Sequence, residues 1–576
     1  MIDFAALGGV IGVAVATIVI GFRGLRISRT PADFLVAARQ VPAALNASAI
    51  SGEYLSAASF LGIAGLALAD GVGALWYAVG YAAGYLVLLT TVAAPLRRFG
   101  AYTIPDFAEG RLDSPLLRRV ATLLVVLICA FYLLPQMEGA GETLQTVVGG
   151  PYWIGVVVLG VLVTGAIASG GMKGITFVQS FQYWLKLTAI AVPALALLFV
   201  FHHPPFHNLE RPAPARFPAA TTVRFPSEER MQVSSPARLE VHGRIDGERR
   251  DGLVLLAPGT HLVAAGTTVV FPAGSPAPGV STPPVPSARQ WASPLVRLDG
   301  HGDHPLAATY GVILATFLGA LGLPHILVRF YTNPDGQTAR RTTALVVLLL
   351  SFFYVWPGIF ALLGRLEAPS LYLTGRTDTV VLVLPRLVSA GAPERILTAL
   401  TAGGAFAAFL STSSGLLIAM AGAVSHDILG RGVAAFRWAA VVVGTLTTVA
   451  GLAVAGTSIN VLVGWAFAIA ASSFCPLLVL GIWWTGLTWP GALAGLAVGG
   501  GTSSAAVVAS LAGAGRQGWA AVLLQVPALW TVPLAFATMT AVSKLTPTHM
   551  PADAMDKMLT LHLPEGVRRR PVVGRL

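Results

Sequence analysis

Long apolar runs recur along the whole chain, and they limit its possible folds more than any other feature. A helix needs about 20 mostly apolar residues to cross the hydrocarbon core of a bilayer. Thirteen runs approach or exceed this length, and we number them as spans 1 to 13. Their predicted bounds are 4–22, 43–69, 72–95, 117–148, 152–169, 175–201, 308–330, 339–365, 394–426, 436–455, 458–484, 489–513 and 519–543. The sequence therefore predicts an all-α membrane protein with about 13 transmembrane helices, surrounded by lipid.

The composition supports a membrane protein and argues against nucleic-acid binding. Only 11% of the residues are charged and 55% are hydrophobic, whereas a soluble protein carries about 25% charged residues. The formal net charge of +11 comes largely from basic residues in short loops beside apolar runs, where such residues set membrane topology. The cysteines Cys129 and Cys475 lie inside apolar runs, which excludes a disulfide framework.

The distribution of basic residues predicts the orientation in the membrane. Arginines and lysines follow spans 1, 3, 7 and 13, and all four of these segments fall on one side of a chain that crosses thirteen times. Because basic loops stay cytoplasmic, we expect a plasma (inner) membrane protein with its N-terminus outside and its C-terminus in the cytoplasm. The loop after span 8 is an exception to the rule, with Arg365, Arg376, Arg386 and Arg395 on the outer side.

Four regions are predicted along the chain: a membrane part over 1–201, an extracellular insertion over 202–305, a second membrane part over 306–543, and a basic cytoplasmic tail over 544–576. The insertion is rich in proline and valine, so we expect it to be β-rich or partly disordered. It contains one cluster of metal-ligand types interrupted by glycines, which we interpret as a flexible polar loop, with a metal site as the alternative: Asp299, His301, Asp303 and His304.

Span 2 carries polar residues where lipid or packed helices require apolar ones. Ser51, Gly52, Glu53 and Tyr54 follow one another in its middle. Charged groups inside spans are costly and are candidates for function, and broken helices at membrane depth are tolerated only where they line a cavity. The sequence therefore predicts a break whose freed carbonyls can hold a cation and whose N–H groups can hold an anion. A packing face of small residues is the alternative.

Span 9 carries four consecutive hydroxyl residues, 411–414, in an otherwise apolar helix. Serine and threonine often bond back to the carbonyl one turn earlier. The alternative is coordination of a hard cation, which prefers carbonyl and hydroxyl oxygens. A hydroxyl pair on one helix that faces free carbonyls on another helix would make such a site without a carboxylate.

Polar residues occur in further spans. Span 4 carries Tyr132 and Gln136 on one helical face and Glu138 on another, and span 6 carries Lys186. In span 7, glycines and Pro324 precede two basic residues, His325 and Arg329, and predict a kink or break. The breaks in spans 2 and 7 are five helices apart, which is the spacing expected of two inverted five-helix repeats.

Several motifs resemble those of the sodium:solute symporter family over nearly all of the membrane part. The run 322–330, GLPHILVRF, is similar to the glycine–x–proline–histidine hallmark of that family. Within the family, the runs 54–62, 136–141, 423–427 and 464–472 most resemble cation/acetate symporters. The resemblance implies the fold of the amino-acid transporter LeuT, a 5+5 inverted repeat with flanking helices, and it leaves the insertion outside the match.

The resemblance also implies a site for a transported sodium ion between spans 2 and 9. Carried over to this sequence, the ligands are the carbonyls of Ala47, Ile50 and Ala408 and the hydroxyls of Ser411 and Thr412. The hydroxyl run noted above agrees with this placement and favours sodium over a proton. Glu53 and Glu138 leave proton coupling open, because a buried carboxyl group can carry a proton.

The function implied is sodium-coupled symport of a small monocarboxylate such as acetate, propionate or pyruvate, by alternating access. Proton-coupled symport of a monocarboxylate, or sodium symport of proline or another neutral solute, are the alternatives. We expect no enzymatic activity, because no nucleophile–base pair, phosphate loop or catalytic metal spacing is found. Position and chemistry predict that the substrate site is lined by Ser51, Tyr54, Tyr132, Gln136, Phe317 and Trp465.

Overall fold

The computed structural model describes residues 3–25, 39–201, 217, 220–225, 228–233, 235–276, 278–280, 286–297, 304–387, 391–429, 432–456, 458–515 and 518–564. Of the possible metal cluster in the insertion, Asp299, His301 and Asp303 lie outside these ranges. Within them, no group of three or more histidine, cysteine, aspartate or glutamate side chains is arranged to hold a metal ion.

Apolar helices occupy every predicted span. Among the described residues, eleven helices are long enough to cross a membrane: Phe4–Gly21, Val72–Phe99, Pro115–Val148, Gly174–Val200, Pro305–Gly322, Gly336–Glu367, Ala392–Leu429, Val433–Gly451, Ile459–Trp483, Trp489–Leu511 and Ala528–Leu545. Span 2 is a bent pair, and span 5 is the shorter apolar helix Trp153–Ala168. Span 13 also includes the short helix Gly518–Gln525 before Ala528–Leu545. Outside the spans, short helices form at Ile104–Leu112, Ala288–Trp291, Ser370–Leu373, Val380–Val383 and Ala554–His562.

Spans 2 and 7 are interrupted, as the sequence predicted. In span 2, the helix Ala43–Tyr54 meets the helical segment Ala58–Asp70 at an angle of 69°. In span 7, Leu323 has an extended backbone between the helices Pro305–Gly322 and Pro324–Phe330. Proline supplies no N–H and disfavours the helical conformation of the preceding residue, so Pro324 explains why this interruption falls at Leu323.

Spans 9 and 11 form the centre of the helix bundle. The most apolar part of span 9 is 94% buried and that of span 11 is 89% buried, whereas span 1 is 17% buried. Large apolar side chains on the outer helices remain exposed on the protein surface, among them Phe4, Leu123, Trp184 and Trp438. An apolar belt of this extent is what a lipid-facing surface requires, and it places spans 9 and 11 in the interior.

The ends of the helices form two opposite faces. Near the N-terminus, Asp3 pairs with Arg386 of the loop after span 8, and its N–H donates to Val147 at the end of span 4. On the other face, Arg118 at the start of span 4 pairs with Asp427 at the end of span 9. These contacts place the N-terminus beside the end of span 4 and the loop after span 8, and the start of span 4 beside the end of span 9.

The insertion contains an antiparallel seven-stranded sheet, which confirms the prediction of β structure. The strands are β1 Thr221–Arg224, β2 Glu229–Val233, β3 Ala237–Ile245, β4 Glu248–Leu256, β5 Gly259–Val263, β6 Thr268–Phe271 and β7 Gly279–Val280. Their order is β1-β6-β3-β5-β2-β7, and β4 pairs with β3. Asp246 and Gly247 both have positive φ in the β3–β4 turn, as a tight hairpin requires. Leu373, from the loop after span 8, joins the apolar core of the sheet.

Candidate functional site between the broken span 2 and spans 6, 7 and 9

The break in span 2 removes helical partners from several backbone groups. A helix leaves its last four carbonyls without internal partners, and the helix Ala43–Tyr54 ends inside the protein. The carbonyl of Ser51 still accepts from the N–H of Leu55 at 3.0 Å. The carbonyls of Gly52 and Glu53 are satisfied by groups from other spans, and these contacts define the site.

Two of the four hydroxyl residues of span 9 reach the break. The Ser411 hydroxyl donates to the Gly52 carbonyl at 2.8 Å, and the Thr412 hydroxyl donates to the Glu53 carbonyl at 2.5 Å. In contrast, the Ser414 hydroxyl bonds back to the Leu410 carbonyl of its own helix at 2.6 Å. Bonding back within the helix therefore holds for Ser414. Ser411 and Thr412 contact the break, and coordination of a cation by them stays a prediction.

Of the other residues expected to bind sodium, Ala408 adjoins this contact. The Ala408 carbonyl lies 3.1 Å from the Ser411 hydroxyl oxygen. Ala47 and Ile50 are fully buried in the helix before the break. The span 2 carbonyls that meet span 9 belong, however, to Gly52 and Glu53, which follow Ile50 in the sequence.

A lysine ammonium lies at the same position. Lys186 of span 6 is fully buried, and its Nζ donates to the Gly52 carbonyl, to the Leu55 carbonyl at 2.8 Å and to the Ser411 hydroxyl at 2.7 Å. The carbonyl end of a helix carries partial negative charge and favours a cation. The break therefore holds a positive charge supplied by the protein itself.

A buried ion pair lies beside the break. Arg329 of span 7 pairs with Glu53 at 2.7 Å, and their side chains are 1% and 0% exposed. The guanidinium also donates to the Thr176 hydroxyl at 2.9 Å and to the Gln179 side-chain carbonyl. The Gln179 amide in turn donates to the Ser411 carbonyl at 2.9 Å. This network connects both broken spans to spans 6 and 9.

Three of the residues predicted to line the substrate site fall in two neighbouring groups. Tyr54 packs edge to face against Tyr85 and Phe467, with ring centroids 4.9 and 6.2 Å apart. Tyr132 also packs against Phe467, at 5.7 Å. Gln136 accepts from the Ala57 N–H at 2.9 Å, which satisfies a donor freed by the break.

The remaining predicted substrate residues differ in their surroundings. Ser51 Oγ and Trp465 Nε1 are buried without a hydrogen-bond partner among the residues that the structure describes, so each can still bind a polar ligand. Phe317 is half-buried, and its backbone, rather than its ring, packs against Gly84 of span 3.

Glu138 lies in a different environment from Glu53. It accepts from the Tyr152 hydroxyl at 2.5 Å and from the Gly456 N–H at 2.7 Å. Tyr152 lies at the start of span 5 and Gly456 in the connection between spans 10 and 11, so Glu138 stabilises the loop before span 11. Glu53, by contrast, contacts the residues around the break.

Sequence reasoning did not assign several residues of the site. Lys186, His325 and Arg329 stood out as ionisable groups inside spans, but their partners could not be read from the sequence. Both ring nitrogens of the buried His325 are without a hydrogen-bond partner within the described ranges, and the ring packs against Tyr132 at 5.2 Å. Gln179 carried no signal of its own beyond a polar residue in an apolar run.

Comparison with known proteins identifies the group to which the chain belongs. The model of the sodium:solute symporter family matches residues 34–204 and 300–499. The chain is 28% identical to the uncharacterized symporter YwcA of Bacillus subtilis, over 90% of each chain. It is also 28% identical to a monocarboxylic acid transporter of Corynebacterium glutamicum, over 88% of this chain and 84% of that one.

A solved structure confirms the fold. The chain is similar to a Na⁺-coupled sialic acid symporter in a substrate-bound outward-open state, with a TM-score of 0.63, 14% identity, and coverage of 93% of this chain and 98% of that one. The predicted LeuT-like architecture is thus confirmed, and the prediction that the chain is not an enzyme is confirmed by relatives that are transporters. The protein is a multi-pass membrane transporter that belongs to the sodium:solute symporter family.

Proposed function

We propose that this secondary transporter carries a small monocarboxylate, such as acetate, propionate or pyruvate, together with sodium by alternating access. The observation that carries the proposal is the contact of Ser411 and Thr412 with the carbonyls freed by the break in span 2. Carbonyl and hydroxyl oxygens are the ligands that hard cations prefer. A cation bound there would join span 2 to span 9, and would be lost when the two spans separate.

The charges around the break support an anionic substrate. The charges of Glu53 and Arg329 cancel in their ion pair, so the ammonium of Lys186 leaves a net positive charge in a buried region. Buried positive charge attracts an anion. In the sequence-predicted lining, Ser51 and Trp465 carry donors that have no hydrogen-bond partner within the described part of the chain. The name of the Corynebacterium glutamicum relative, a monocarboxylic acid transporter, agrees with this substrate class.

The aromatic residues around the break would limit the substrate to a small one. Tyr54, Tyr85, Phe467 and Tyr132 already fill the space beside the break. A ligand with a carboxylate and one or two further carbons displaces less of this packing than a sugar does. We therefore favour a short organic acid over proline or another neutral solute.

Membrane orientation is part of the proposal. We place the N-terminus and the 202–305 insertion outside the cell and the 544–576 tail in the cytoplasm, with membrane parts at 1–201 and 306–543. The basic loops after spans 1, 3 and 7 support this placement. Sodium would then enter from the outer face. With one sodium ion and one monovalent acid anion the cycle carries no net charge, so the concentration gradients rather than the membrane potential would drive it.

The experiment is uptake of labelled acetate, propionate and pyruvate into proteoliposomes with an inward sodium gradient, an inward proton gradient, or neither. We expect accumulation that requires sodium. The variant Ser411→Ala/Thr412→Ala should lose this dependence, because it removes both hydroxyls that face span 2. Ser414→Ala is the matched control, since its hydroxyl bonds within span 9.

Two results would change the proposal. Uptake that follows a proton gradient and ignores sodium would favour the proton-coupled alternative, for which Glu53 and Glu138 are the candidates. Uptake of proline that none of the three acids inhibits would exclude a monocarboxylate as the substrate. The protein would then be a sodium symporter of a neutral solute.

A further inference from the structure

Lys186 uses oxygens of the proposed sodium site. Its ammonium donates to the Gly52 carbonyl and to the Ser411 hydroxyl. These two groups also bond to each other where spans 2 and 9 meet. The third acceptor is the Leu55 carbonyl, at 2.8 Å. Two of these three acceptors are carbonyls at the break and one is a hydroxyl of span 9, which is the ligand chemistry proposed for sodium.

The ammonium has no carboxylate partner among the residues that the structure describes. The nearest carboxylate along span 2 is that of Glu53, which forms its ion pair with Arg329 of span 7. An unpaired charge in an apolar interior is costly unless polar groups surround it. Lys186 is therefore held by the carbonyl dipoles at the helix end and by a hydroxyl, as a bound metal cation would be.

We infer that Lys186 is a tethered cation that occupies the sodium position, so that sodium binds there only when the lysine side chain moves away. The inference rests on the proposed function, in which this position binds the coupling ion. Two positive charges within about 4 Å repel strongly in a protein interior, so both cannot occupy these oxygens. In the conformation described here, Lys186 replaces the ion and joins spans 2, 6 and 9.

This arrangement gives the transporter a means to close its cation site without an ion. When sodium is absent, the lysine keeps the carbonyls of the break satisfied and the three spans together. When sodium binds, the displaced ammonium adds positive charge near an anionic substrate. Sodium affinity is thus lowered by the lysine, and removal of the lysine should raise it.

The test is equilibrium binding of radioactive sodium to the purified full-length protein in lipid nanodiscs. We expect Lys186→Met to bind sodium with an affinity about tenfold or more above that of the wild type, because the competing charge is absent. Gln182→Met is the matched control. Gln182 lies one turn earlier in span 6, donates to the Thr17 hydroxyl of span 1 at 3.0 Å, and should leave sodium affinity unchanged.

Two further variants control for misfolding and for sodium binding at other positions. Lys186→Gln keeps a polar side chain of similar length and should show the same gain if Lys186→Met does not fold. Addition of Ser411→Ala to either variant should abolish the gain. Sodium affinity equal to or below that of the wild type in folded Lys186 variants, or a gain that survives Ser411→Ala, would overturn the inference.

Failure of the proposed function is distinguishable from failure of this inference. If uptake by the wild type ignores sodium while Lys186→Met gains a Ser411-dependent sodium site, sodium coupling is wrong and the tethered cation stands. If sodium drives uptake and the Lys186 variants bind sodium as the wild type does, sodium coupling stands and the tethered cation is wrong.

Discussion

The ion pair between Glu53 and Arg329 provides a prediction that can be worked out in energy. Both side chains are excluded from solvent, and removal of one member of a buried pair costs about 3–5 kcal/mol because the other charge is left uncompensated. We therefore expect Arg329→Met to lower the free energy of unfolding by about 3–5 kcal/mol. The lost donor to Gln179 contributes to this cost, because a buried acceptor loses its partner.

A double-mutant cycle separates the charge effect from the loss of packing. Replacement of both members by apolar residues of similar size is often neutral or stabilising, so Glu53→Leu/Arg329→Met should be more stable than Arg329→Met alone. The assay is denaturant-induced unfolding in mixed micelles, followed by tryptophan fluorescence. Arg341→Met, at an exposed position of span 8, is the control and should change stability by less than about 0.5 kcal/mol.

A decrease of less than about 1 kcal/mol in the free energy of unfolding of Arg329→Met would contradict this prediction, because a buried carboxylate that loses its partner is strongly destabilising. The prediction would also be refuted if the double variant were destabilised by the sum of the two single changes. Additive effects mean that the two side chains do not interact, which is incompatible with a distance of 2.7 Å.

Three further predictions follow from individual contacts. Gln136→Leu should cost about 1–3 kcal/mol in the same unfolding assay, because it leaves the buried Ala57 N–H at the break without its acceptor; a loss below 0.5 kcal/mol would mean that the break satisfies this donor otherwise. Gly52→Ala should abolish transport and lower stability, because an added methyl group would collide with the Gln179 backbone carbonyl; normal uptake by this variant would show that spans 2 and 6 are not in close contact. In the insertion, hydrogen bonds first to the Ala257 carbonyl and then to Asp246 raise the pKa of His261. Protonated His261 therefore stabilises the sheet fully below about pH 6.5, the pKa of histidine in the unfolded chain. This stabilisation is lost as the pH rises through the raised pKa of the folded state. Hydrogen exchange of β5, corrected for the intrinsic pH dependence, should show this loss in the wild type and not in His261→Gln.

The helices and breaks could be predicted because membrane insertion leaves a strong signal in sequence. The thirteen spans follow from apolar length alone, and the interruption of span 7 follows from Pro324, whose missing N–H has a local effect. The hydroxyl run indicated that span 9 needs polar partners, and the resemblance to the family implied that Ser411 and Thr412 face span 2.

The partners around the break were harder to predict because they depend on three-dimensional register. The sequence indicated a break near Gly52, but which carbonyls become free depends on where the helix ends, and a shift of a few residues separates Ile50 from Glu53. Likewise, Lys186 is one polar residue in a long apolar helix, and only the packing of span 6 against span 2 brings its ammonium to the Gly52 carbonyl. The order of strands in the insertion depends on pairings between distant residues, which no local pattern encodes.

The proposed coupling of acid transport to a cation held between spans 2 and 9 can be tested directly. The experiment imposes an inward acetate gradient on proteoliposomes that contain equal sodium on both sides, and measures movement of radioactive sodium. Acetate should drive sodium inward in the wild type and in Ser414→Ala, but not in Ser411→Ala/Thr412→Ala. Acetate entry without any movement of sodium in the wild type would contradict the coupling.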